Sequence, residues 1–295
     1  MAVFKGAGVA LVTPMKDNGE INYEVLGALI EDQISKKTDA IIICGTSGEA
    51  PTLEDAEHLE AIRYTVDKTA GRIPVIAGTG SNNTAHAVMM SKEAQKLGAD
   101  GCLLVAPYYN KATQNGLVKH FAAIAGAIDI PCILYNVPSR TGSNILPETA
   151  VRMAKEVDNI VAIKEASGNI SQVGKLAALA EGILDIYSGN DDQIVPICSL
   201  GGIGVISVLS NVAPRETHDM VAYCLENRYD EARRLQHKAH DLVDALFCEV
   251  NPIPVKAALA MMGKIENTLR LPLCPLDAEK QEQLRREMKR MKLLS

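Results

Sequence analysis

Short apolar runs alternate with longer segments of helical period along most of the chain. The runs are rich in β-branched residues: Val9–Pro14, Ala40–Cys44, Pro74–Gly78, Gly101–Pro107, Pro131–Asn136, Asn159–Ala166, Leu184–Gly189 and Ile203–Val208. Their length and composition predict buried strands of a parallel sheet. Tyr23–Lys36, Asp55–Ala70, Ala85–Leu97 and Gly116–Ala127 read as amphipathic helices between them. Pro147 and Asn169 fall at further helix starts, and Gly98 has the spacing of a C-cap. A doubly wound open sheet would alternate in the same way. Eight units in unbroken rhythm favour an α/β fold of the closed kind, a (β/α)8 TIM barrel.

From about Ala213 the pattern turns purely helical, with Ala213–Glu226, Tyr229–Phe247, Pro254–Met262 and Ala278–Lys292. The first of these closes the eighth unit. The expected organisation is therefore a barrel over residues 1–226 and a C-terminal helical appendage over 227–295, packed against it.

Composition narrows the function classes. The 295 residues are 47% hydrophobic and 22% charged, with a formal net charge of -6. No basic run is long enough to track a phosphate backbone, so neither nucleic acid nor an anionic membrane is an expected partner. No apolar stretch approaches the ~20 residues of a membrane span, and the N-terminus lacks a signal-peptide pattern. The seven cysteines form no Cys-x-x-Cys pair, and Cys44, Cys102 and Cys132 lie inside strand-like runs. That usage suits a reducing, cytoplasmic setting better than a disulfide framework. The six histidines form no ligand cluster; His237 and His240 share a helix face and read as surface residues. No metal or cofactor is expected.

In such a barrel the chemistry sits at the C-terminal strand ends. Those ends carry Thr13-Pro14, Gly45-Thr46-Ser47-Gly48-Glu49, Gly78-Thr79-Gly80, Pro107-Tyr108-Tyr109-Asn110, Tyr135-Asn136 with Arg140 soon after, Lys164-Glu165, Gly189-Asn190 and Ser207. One lysine, one arginine and several hydroxyls suit imine chemistry on a carboxylate substrate. They suit neither metal hydrolysis nor a Ser-His-Asp triad.

Lys164 is the only lysine within the eight runs. Alternation puts it on one face with Ala162, opposite Val161 and Ile163. If the branched pair packs outward, the lysine points into the barrel, where apolar walls favour the neutral, nucleophilic amine. The plainer alternative is a strand-end lysine paired to Glu165 or reaching solvent. Arg140 could clamp a carboxylate through its fork of donors, or be an ordinary exposed loop residue. Tyr109, Tyr135 and Thr46 offer three hydroxyls that could pass protons, although tyrosines also pack at barrel rims. Gly45–Glu49 presents hydroxyls and N–H groups suited to a carboxylate; a plain tight turn is the alternative.

These motifs together resemble the dihydrodipicolinate synthase (4-hydroxy-tetrahydrodipicolinate synthase) family over nearly the whole chain. The resemblance is carried by Gly6–Pro14, Gly45–Glu49, Pro107–Asn110, Tyr135–Gly142 and Ile163–Gly168, with Asn251–Lys256 and Arg270–Leu273 in the helical tail. It implies that Lys164 forms a Schiff base with pyruvate, and that Tyr135, Thr46 and Tyr109 relay protons, with Tyr109 reaching into a neighbouring subunit. It further implies that Ser47 and the backbone at Ile206 hold the pyruvate carboxylate, and that Gly189 lies beside the substrate. Arg140 would bind the carboxylate of aspartate semialdehyde, the second substrate. The assembly implied is a homotetramer of tight dimers, acting in diaminopimelate and lysine biosynthesis.

Two positions depart from the family pattern. Ser47 replaces a usual threonine and keeps the hydroxyl. His86 stands where lysine-inhibited members typically carry a glutamate, so weak or absent inhibition by lysine is expected. Within the same superfamily, a retro-aldolase such as N-acetylneuraminate lyase shares the lysine and its tyrosine. Arg140 in Pro-Ser-Arg-Thr-Gly and the Tyr108-Tyr109 pair favour the synthase. A non-catalytic barrel sensing an oxo acid would need no proton relay.

Overall fold

Strand alternation sorts the side chains into two packed shells. Ile41, Ile43, Leu104, Leu134 and Ile163 face outward onto the helices, whereas Ile42, Ile76, Leu103, Ile133, Ala162 and Ile206 fill the interior. The computed structural model describes residues 2–294. Its eight parallel strands close in chain order, the last pairing back onto the first.

The elements run β1 (Gly6–Ala10), α1 (Tyr23–Ser35), β2 (Ala40–Ile43), α2 (Asp55–Thr69), β3 (Val75–Gly78), α3 (Thr84–Lys96), β4 (Gly101–Val105) and α4 (Gln114–Ala125). They continue with β5 (Cys132–Asn136), the single turn α5 (Pro138–Thr141), α6 (Pro147–Glu156), β6 (Ile160–Glu165), α7 (Ile170–Ala180), β7 (Asp185–Ser188), α8 (Ile194–Ser199), β8 (Gly204–Ser207) and α9 (Pro214–Leu225). Three more helices follow: α10 (Tyr229–Leu246), α11 (Ile253–Met261) and α12 (Ala278–Arg290). The alternation therefore forms the closed barrel that the sequence predicts, with helices beyond it.

Helix ends use the residues their sequence offers. Asn169 caps α7 by accepting from Gln172 N, and Pro147 occupies the first turn of α6. Gly98 follows α3 with φ +88°, a left-handed stop that suits glycine. The barrel closes tightly between β8 and β1: a Cβ on Gly204 would lie 2.2 Å from Gly6 O. On the N-terminal side Phe4 stacks on Tyr187 at 4.4 Å and accepts a hydrogen bond from its hydroxyl, plugging that mouth.

Two local expectations change. β1 starts at Gly6 and ends at Ala10, earlier than the apolar run Val9–Pro14. Leu11 N still donates to Ile42 O, but Val12 N turns to Asn211 Oδ1, so the rest of the run packs as buried loop. Val161 packs against the interior shell instead of outward. A register shift between Cys132 and Ile133, opposite Ile160 and Ala162, bulges Val161 out of the alternation.

The tail helices pack back on the barrel. α10 lies against α8 and α9, α12 against α10, and α11 between α10 and α12. Lys256 of α11 reaches the loop after β2, where it meets Glu49. No helix among the described residues is long and apolar enough to cross a membrane.

Candidate active site

β6 carries Lys164 inward, as alternation predicts, with 5% of its surface exposed. It pairs in register with Tyr135 of β5, and its Nζ lies 4.4 Å from the centre of the Tyr135 ring. Glu165 points the other way. It accepts from Asn136 Nδ2 (3.1 Å) and Ser167 N (2.7 Å), so the neighbouring carboxylate is committed elsewhere.

A cavity of about 150 Å³ opens at the strand ends, lined by Lys164, Tyr135, Thr46, Ser47, Arg140 and Gly189, together with Asn251. A wider cavity of about 370 Å³ shares Thr46, Tyr135 and Arg140, and runs on to Asp55, His58, His86 and Tyr108. Six of the eight site residues expected from the sequence thus meet around one space.

The loop Gly45–Glu49 is bonded at several points. Gly48 N donates to Gly45 O, Glu49 N to Thr46 O, and Thr13 Oγ1 to Gly48 O (2.7 Å). Asn251 Nδ2 donates to Ser47 Oγ at 3.0 Å, fixing a hydroxyl that is 1% exposed. Arg140, on the one-turn helix α5, approaches Asn251 O at 3.5 Å and is otherwise exposed. Its guanidinium is therefore left largely free for an anion.

Asp191 lies fully buried behind the ends of β7 and β8. It accepts from Ser207 Oγ (2.6 Å), Val208 N (2.9 Å) and Leu209 N (2.8 Å). Burial pushes its carboxyl above the usual aspartate range, against the pull of those three donors and of the Lys164 charge.

Two expected residues lie outside the cavity walls. Tyr109 is 92% exposed, has φ +68° and lines neither cavity. The Ile206 side chain is packed in the closed interior below. Asn251 and Phe247, which sequence reasoning did not assign to the site, do line the smaller cavity, as does Asn190 from the end of β7. Asn251 belongs to the tail motif Asn-Pro-Ile-Pro, so a search confined to strand ends passes over it. His237 and His240 are exposed, and among the described residues no group of three or more His, Cys, Asp or Glu could hold a metal ion.

A closed eightfold barrel with a buried lysine beside a tyrosine at its C-terminal face suits the imine chemistry of an aldolase-type lyase. Residues 3–291 match the model of the dihydrodipicolinate synthetase family. The 4-hydroxy-tetrahydrodipicolinate synthase of Lachnoclostridium phytofermentans is 59% identical over 294 residues, 100% of each chain. The dihydrodipicolinate synthase of Aquifex aeolicus has a crystal structure that superposes with a TM-score of 0.96 at 46% identity, over 98% of this chain and 99% of that one. A monomeric dihydrodipicolinate synthase variant superposes with a TM-score of 0.97 at 43% identity, over 99% and 98%. The chain belongs to the dihydrodipicolinate synthetase family.

Proposed function

We propose that the protein is a 4-hydroxy-tetrahydrodipicolinate synthase, condensing pyruvate with aspartate semialdehyde on the way to diaminopimelate and lysine. The observation that carries this is Lys164 Nζ over the Tyr135 ring at a cavity that also holds Thr46, Ser47 and Arg140. The lysine amine adds to the keto carbon of pyruvate, and loss of water leaves the imine. Removal of a methyl proton gives the enamine, whose carbon attacks the aldehyde of the second substrate.

The roles assigned to these residues are those that the family resemblance implies, and the cavity lining supports six of the eight. Ser47, with the backbone at Ile206, holds the pyruvate carboxylate, and Gly189 leaves room for the lysine and its adduct. Arg140, exposed at the rim where the two cavities join, receives the carboxylate of the incoming semialdehyde. Thr46 and Tyr135 begin a relay that moves protons among imine, enamine and solvent. Tyr109, which is 92% exposed and lines neither cavity of its own chain, completes it from a neighbouring subunit. In this reading the working form is a homotetramer built from tight dimers, as the family resemblance implies. The seven free cysteines suit a reducing cytoplasm.

Borohydride reduction in the presence of pyruvate tests the reading. Mass spectrometry is expected to find the reduced adduct on the Lys164 peptide, and its absence would remove the Schiff-base mechanism. Pyruvate with aspartate semialdehyde is then expected to turn over, whereas N-acetylneuraminate is not cleaved. The reverse result would assign the retro-aldolase activity.

A further inference from the structure

Glu49 and Lys256 pair at 2.6 Å with both side chains at zero exposure. Two buried charges repay their desolvation only when further hydrogen bonds complete them, and an apolar replacement is often as stable. Stability alone therefore gives little reason to keep such a pair. The bonds around it point to another role. Glu49 Oε2 accepts from Arg270 N at 3.1 Å, and Lys256 Nζ also donates to Thr13 O at 3.1 Å.

Glu49 ends the loop that bears Thr46 and Ser47. Its own φ is +56°, a region a non-glycine residue keeps only when its surroundings over-determine it. The surroundings here come from the tail. Lys256 and the Arg270 backbone hold the Glu49 carboxylate, while Asn251, just before α11, holds the Ser47 hydroxyl. The loop is thus gripped at both Ser47 and Glu49 by residues more than 200 positions later in the chain.

We propose that Glu49 and Lys256 are positioning residues for pyruvate: their buried pair sets the loop so that Thr46 and Ser47 face Lys164. This rests on the pyruvate-imine reading above. The helical tail is then a working part of the active site, although its pair touches no substrate.

Two variants test it: Glu49→Gln, and the neutral double variant Glu49→Gln/Lys256→Met, which leaves no unpaired buried charge. Three readouts are needed: folded fraction by circular dichroism, KM for pyruvate, and borohydride-trapped imine at low pyruvate. The expected result is folded protein with KM for pyruvate raised about tenfold or more and trapped imine reduced in step. A role in folding alone would lower stability but leave KM of the folded fraction unchanged. Wild-type KM and imine yield in either folded variant would overturn the proposal. So would failure of both variants to fold, which assigns the pair to folding. If the unmodified protein traps no pyruvate, the Schiff-base reading fails instead.

Discussion

A Cβ on Gly189 would stand 3.1 Å from Cε of Lys164 and 2.7 Å from Cβ of Ala166. Gly189 N also donates to Glu165 O at 2.8 Å, so its backbone cannot retreat without breaking the end of the β6–β7 ladder. Gly189→Ala must therefore displace either Ala166 or the lysine stem. Overpacking of this kind costs about 1–3 kcal/mol. A misplaced nucleophile lowers its reaction by roughly tenfold to a hundredfold. Single-turnover trapping with pyruvate and borohydride is expected to slow by that factor while the protein stays folded; an unchanged rate would show that the stem has slack.

Tyr109 and Lys164 should complement one another across subunits. Lys164→Ala is expected to lose nearly all activity. Tyr109→Phe lowers turnover while the fold of the single chain stays within about 0.5 kcal/mol, since within its own chain the side chain is 92% exposed. Co-expressing the two variants places an intact tyrosine beside an intact lysine at one of the two sites of every mixed interface. Activity well above the sum of the separate variants is expected, together with a tetramer by light scattering. A fully active monomer would remove the shared relay.

The sequence made most of this site legible because strand ends and strand alternation are local properties. Lys164 faces inward with Ala162 for that reason, and Thr46, Ser47, Arg140 and Gly189 follow from their places at strand ends. Other features depend on distant partners. The run Leu11–Pro14 is as apolar as a strand, yet Asn211 takes its backbone out of the ladder. The bulge at Val161 is a mismatch between two strands and leaves no mark in either alone. Asn251 and Lys256 lie in a helical tail whose return to the β2 loop no periodicity encodes. Tyr109 follows from its strand end and from the family motif, whereas its exposure appears only in the fold.

Inhibition by lysine is expected to be weak or absent. His86 Nε2 bonds Asp55 Oδ1 at 2.8 Å on the wall of the larger cavity. That contact occupies the one carboxylate lining the cavity, and the imidazole stands at the position where lysine-inhibited relatives are expected to carry a glutamate. Steady-state rates should hold under millimolar lysine, and His86→Glu should confer sensitivity. Strong inhibition of the unmodified protein by sub-millimolar lysine would sink the assignment.

Mild acid should weaken the fold through two buried histidines. His58 is 7% exposed and bonds Gly78 O at 2.9 Å; burial holds its pKa below the usual 6.5 despite that bond. His120 is also 7% exposed, its Nδ1 meets Thr84 Oγ1 at 2.8 Å, and its Nε2 is buried with no partner. Burial lowers its pKa as well. In the unfolded chain both titrate near about 6.5. Between that value and the lower folded values the unfolded state binds more protons, so stability rises with pH across the window. The stabilisation is fully present above about 7 and is lost as pH falls through the folded pKa values. Asp191, raised by burial, acts in the opposite sense, so total stability is a poor readout and single variants are needed. Urea midpoints at about pH 7.5 and about pH 5.5 should differ less in His58→Gln and in His120→Gln than in the unmodified protein. An equal difference in all three would place the acid sensitivity elsewhere. A smaller difference in only one would identify which buried ring resists its proton.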